Sequence, residues 1–113
     1  MDPTQLEVAR ATLEGERVRL RAELDAEVES PGQMTYGSQA AAASQVFAQQ
    51  RDLALREKAE KELELVEAAL GRIDEGTFGA CRRCGREIAP GRLEALPWAA
   101  YCIDCQRLVN EGR

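Results

Sequence analysis

The chain has 113 residues, no histidine and a formal charge of −5, a length near the lower limit at which one apolar core sustains a fold, so a single domain or a small domain with an extension is expected. Residues 1–79 carry sixteen acidic and nine basic side chains, and residues 80–113 carry four and six. Neither half is the basic patch that nucleic-acid binding requires, and no run approaches the roughly 18 apolar residues of a membrane span, so a soluble protein without direct DNA or RNA contacts is expected.

Asp2, Pro3 and Gln5 read as an N-cap, a first-turn proline and the third-position partner of a capping box, placing a helix start near residue 3. Leu6, Ala9, Leu13, Leu20, Leu24 and Val28 recur at three, four or seven residues, with Arg17 interrupting the row. So narrow an apolar seam suits pairing with another helix better than burial in a broad core. Ser30-Pro31-Gly32 closes this helix near Glu29, because a residue before proline leaves the helical region and glycine follows.

A loop over residues 30–38 is expected next, then a second helix over 38–75, capped by Ser38 and opened by Ala40 to Ala43. Its apolar positions run from Val46 to Ile73, and the last four, Leu63, Val66, Leu70 and Ile73, alternate by three and four. Gly76 reads as its stop. Helices over about 3–29 and 38–75 would be roughly 40 and 55 Å long. A short connection folds them back as an antiparallel hairpin with its tip over residues 30–43. The expected architecture is mainly α: a long coiled-coil hairpin in residues 1–76 and a small module in residues 77–113.

That module is built on Cys81-Arg82-Arg83-Cys84-Gly85 and Cys102-Ile103-Asp104-Cys105. Two Cys-x-x-Cys pairs at this separation supply four thiolates for one tetrahedral zinc ion, Zn(2+), and leave no position open for a catalytic water. The ion is therefore expected to be structural. Two disulfides are the competing reading. They belong to secreted chains, whereas Met1-Asp2-Pro3-Thr4 is polar and acidic with no apolar signal core behind it, which favours a reducing, cytoplasmic setting. Redox work by Cys81 and Cys84 would usually accompany a βαβ pattern, and none is visible. Phe78, Trp98 and Tyr101 crowd around the cysteines and suggest a small core wrapped on the metal. Pro90-Gly91 and Pro97 break the stretch between the pairs into turns or short strands. A short helix is expected over Gln106 to Asn110.

The run Ile73-Asp74-Glu75-Gly76-Thr77-Phe78-Gly79-Ala80-Cys81-x-x-Cys84-Gly85, then Arg92-Leu93-Glu94-Ala95-Leu96-Pro97 before Cys102-Ile103-Asp104-Cys105-Gln106, resembles the DksA/TraR family. The likeness is specific from Arg72 to Gln106 and architectural from Thr4 to Gly71. It implies a bacterial regulator that binds RNA polymerase and inserts its hairpin into the secondary channel. Family members that regulate initiation carry a tip of the form Asp-x-x-Asp-x-Ala. Those positions fall on Ser38, Ala41 and Ala43, so the tip implied here is non-acidic. Two basic positions that some relatives use for guanosine tetraphosphate fall on Leu96 and Gln106, which argues against that ligand. Arg56 and Lys58, on the hairpin flank, are candidate contacts to the partner.

A zinc-stapled coiled coil acting as an adaptor or dimerisation protein is the alternative of another class. An enzyme is disfavoured: the chain has no histidine, no phosphate-binding glycine loop and no recognisable nucleophile–base pair.

Overall fold

Asp2 opens the first helix as its sequence predicts. Its carboxylate accepts from the Gln5 N–H at 2.7 Å, and the Gln5 side chain accepts from the Asp2 N–H at 3.1 Å. This reciprocal box satisfies donors that a helix start would leave unpaired. The computed structural model describes residues 1–26 and 39–112. Within them four helices follow in order: α1 (Pro3–Asp25), α2 (Gln39–Glu75), α3 (Pro90–Ala95) and α4 (Ile103–Asn110). The expected loop over 30–38, including Ser38, lies outside the described residues.

α1 and α2 are paired antiparallel, because partners descend on one helix as they ascend on the other. Arg10 bonds Asp74 at 2.7 Å, Arg21 bonds Glu67 at 2.7 Å, and Arg56 reaches the Leu24 carbonyl at 2.8 Å. The exposed ion pairs set register more than stability. Stability comes from the seam: Leu13 and Leu20 of α1 are fully buried against Ala59, Val66, Ala69 and Leu70 of α2, with Leu6, Ala9, Leu24, Leu63 and Ile73 along the edges. So slender a core gives an elongated molecule. Its radius of gyration is 19.0 Å, against about 13 Å for a compact chain of this length.

The first helix ends at Asp25, four residues before the expected Glu29, and Ala26 already has non-helical backbone angles. Charge explains the early stop. No basic residue occupies the last turn of α1, and Glu23 and Asp25 put negative charge at the end where the helix dipole is also negative. α2 supplies the cation instead. The Arg56 guanidinium donates to the Leu24 carbonyl, which a continued α1 would use for its own hydrogen bond, and lies 3.6 Å from Glu60. Arg56→Met, which keeps the stem and removes the donor, is expected to destabilise the hairpin by about 1 kcal/mol in urea unfolding at low salt.

α2 stops where Gly76 allows a left-handed turn, at φ +80°. The Thr77 N–H returns to the Arg72 carbonyl at 2.9 Å and the Gly76 N–H to Ile73 at 3.2 Å, the paired bonds of a Schellman end. That turn delivers Phe78 onto the base of the hairpin. Here the aromatic residues divide differently from the expectation: Phe78 and Trp98 pack with the hairpin cluster, and only Tyr101 packs with the cysteine cluster. Leu93 touches both clusters and joins them. A second correction concerns Pro90-Gly91. The pair does not merely break the chain; Pro90 begins α3, since a proline with preset φ suits the first helical turn.

Candidate metal centre

Each cysteine is placed by a different local device. Gly85 takes φ +78°, and its N–H returns to the Cys81 carbonyl at 2.9 Å, curling the first pair into a knuckle. The Cys81 N–H donates to Arg86 at 2.8 Å, beside an antiparallel bridge from Ala80 to Glu87. Cys102 is the N-cap of α4, and its sulfur accepts from the Cys105 N–H at 3.5 Å. Cys105 therefore stands in the first turn of α4, which starts three residues earlier than the expected Gln106.

These turns bring all four sulfurs within 4.8 Å of one another. Cys84 Sγ and Cys102 Sγ are 3.8 Å apart. A tetrahedron with zinc–sulfur bonds of about 2.3 Å has edges of about 3.8 Å, so the donors fit a zinc ion in kind, number and spacing. Cys81 and Cys105 are buried with Ile88, whereas Cys84 is exposed.

The thiols differ in acidity. Burial pushes Cys81 up, but the N–H groups of Cys84, Cys102 and Arg83 that face its sulfur outweigh this and bring it down to about 6. Burial pushes Cys105 up to about 12, reinforced by hydrogen bonds among the neighbouring thiols. Four anionic sulfurs so close together need a cation between them. Because a metal displaces these protons, affinity is expected to fall with pH through the physiological range on account of Cys105. Below about 6, where Cys81 also takes up its proton, it should fall by about a further ten-fold per pH unit. Competitive zinc titration from pH 5 to 8 measures both slopes.

The remaining predicted residues are not gathered at this cluster. Ala41 and Ala43 belong to the first turns of α2, with Ala43 exposed. The helix from there to Glu75 separates them from the finger by about 48 Å. Arg56 and the exposed Lys58 line a groove of about 530 Å³ with Arg19, Glu23 and Leu24 at the end of α1. Leu96 lies at the end of α3, and Gln106, in α4, donates to the Asn110 side chain at 3.0 Å.

Sequence reasoning missed how the finger is fastened. Arg72 is 7% exposed, and its Nη2 donates to the Trp98 and Ala99 carbonyls at 3.3 and 3.4 Å. Burial lowers its pKa, with the nearby Arg82 charge next in effect. The one visible signal was its position as the only cation in the last stretch of α2, from Glu62 to Glu75, among five carboxylates.

A family model described as the prokaryotic dksA/traR C4-type zinc finger matches residues 76–110. A Haemophilus influenzae protein named RNA polymerase-binding transcription factor DksA is 44% identical over 59 residues, 52% of this chain and 41% of that one. The Escherichia coli K12 protein of the same name is 34% identical over 97% of this chain and 74% of its own length. Among solved structures, transcription factor DksA2 from Pseudomonas aeruginosa superposes with a TM-score of 0.79 at 28% identity, covering 98% of this chain and 87% of that one. Likeness that runs from the hairpin through the four cysteines, and is not confined to the finger, shows that this chain belongs to the DksA/TraR family.

Proposed function

We propose that this protein is an RNA polymerase-binding regulator of transcription that offers its hairpin to the secondary channel of the enzyme. The observation that carries this reading is the match along 97% of the chain to a protein named for polymerase binding. An elongated molecule measuring 60 × 31 × 20 Å suits insertion into a deep, narrow opening. The proposal extends to a hairpin in residues 1–76, a finger in residues 77–113 holding one structural zinc ion through Cys81, Cys84, Cys102 and Cys105, and a cytoplasmic location. It includes no catalytic chemistry and no direct nucleic-acid contact. Among the described residues no helix is long and apolar enough to cross a membrane.

In this reading Ser38, Ala41 and Ala43 stand where initiation regulators carry their tip motif, so docking is retained and the carboxylate is missing. Leu96 and Gln106 offer no cation to guanosine tetraphosphate. Lys58 remains a candidate contact, while Arg56 is already committed to the end of α1. The test is transcription in vitro with purified polymerase, comparing the parent protein with Ala41→Asp. Both are expected to co-purify with polymerase, and only the variant is expected to destabilise promoter complexes. Failure of the zinc-loaded parent to bind polymerase would overturn the reading.

The adaptor reading has one observation in its favour: Phe47, Leu53 and Leu55 on the distal part of α2 are exposed, Phe47 by 73%. Sedimentation separates the two, because a stable dimer that covers these side chains cannot thread a channel.

A further inference from the structure

The four residues that lead into Cys102 form a strap whose carbonyls are taken up by three separate parts of the chain. Trp98 and Ala99 accept from the Arg72 guanidinium of α2. Ala100 accepts from the Arg82 N–H, inside the first knuckle, at 2.9 Å. Tyr101 accepts from Arg92 Nε of α3 at 3.0 Å. Of these links, only those from Arg72 originate in the hairpin. We propose that Arg72 is the positioning residue that sets the direction of the hairpin relative to the finger.

The chemistry of the joint supports this role. Among the described residues no carboxylate forms an ion pair with Arg72, although the side chain is buried. A buried cation without a carboxylate is costly unless dipoles solvate it, and here those dipoles belong to two successive carbonyls on another segment. A planar guanidinium can serve both at once, which an ammonium on a flexible stem does less well. Arg72 is anchored on its own side too, because its carbonyl accepts from Thr77 and Phe78 at 2.9 and 3.2 Å. The turn leaving α2 and the strap entering Cys102 therefore meet at one residue. Arg72 and Cys81 also line one cavity of about 590 Å³ with Gly71, Glu75 and Arg82. With four thiolates holding zinc, the excess negative charge beside that cavity favours keeping the cation in place.

This inference rests on the polymerase reading only for why direction matters; the joint can be tested without polymerase. The experiment is pulsed electron paramagnetic resonance on the zinc-loaded full chain, with spin labels attached through unnatural side chains at Gln49 and Asn110 so that no cysteine is used. The parent is expected to give one narrow distance distribution. Arg72→Met is expected to broaden it about two-fold, with zinc content and helicity retained, and Arg72→Lys to restore part of the sharpness. A parent-like width in Arg72→Met, or a parent already as broad as the variant, overturns the proposal. So does loss of zinc from both variants, which would make Arg72 part of the folding of the finger and not a guide for the hairpin. Polymerase binding by the parent, measured in parallel, reports on the functional reading alone.

Discussion

Cys105→Ser is expected to leave the finger unfolded at neutral pH while the hairpin survives. The finger contributes little core of its own: its buried cluster is Cys81, Ile88 and Cys105, with Leu93, Tyr101 and Cys102 partly buried around it. Metal binding at such sites contributes about 10–16 kcal/mol of apparent folding energy, far more than one buried isoleucine supplies at roughly 1.5–3 kcal/mol. A serine hydroxyl is a poor zinc ligand, because the ion is held by thiolates and not by neutral oxygen. The loss should appear as collapse of the near-ultraviolet circular dichroism of Trp98 and Tyr101. The far-ultraviolet signal should fall only by what α3 and α4, helices of six and eight residues, contribute. A strong chelator should reproduce this in the parent protein. Unchanged near-ultraviolet bands after verified zinc removal would show that packing, and not the ion, holds the finger.

Leu20→Ala is expected to destabilise the hairpin by about 3 kcal/mol, and Val18→Ala by no more than about 0.5 kcal/mol. The two positions are two residues apart on one helix, yet Leu20 is fully buried against α2 while Val18 is 67% exposed. The contrast matters because few side chains seal the seam; removing one of its three largest fully buried members, Leu13, Leu20 and Val66, leaves a gap that neighbours spaced every three or four residues cannot fill. Urea unfolding followed by helicity measures both values. Similar losses at the two sites would mean that α1 is held by intrinsic helix propensity and not by pairing.

These residues also show how much of the fold was legible in advance. The start of α1, the Gly76 stop, the seam from Leu6 to Leu24 and the gathering of four cysteines all follow from local rules. A cap, a left-handed turn or a three-four repeat is set by neighbours in sequence. The Cys-x-x-Cys spacing likewise restricts each pair to one edge of an ion, whatever surrounds it.

Three features were not legible, because each depends on a residue distant in the chain. The end of α1 at Asp25 needs Arg56, thirty-two residues from Leu24, to take the carbonyl that a longer helix would use. The departure of Phe78 and Trp98 from the metal cluster needs the base of the hairpin to be near enough to receive them. Arg72 reads as an ordinary last-turn cation until the strap at Trp98 and Ala99 closes over it. Sequence alone thus determined the two long helices and the grouping of the four cysteines, since both are governed by spacing within a few residues. Only the tertiary structure decided how the rod is joined to its base, because beside the packing of Phe78, Leu93 and Trp98 the joint uses the Trp98 and Ala99 carbonyls, a group that every residue carries and no pattern of side chains reveals.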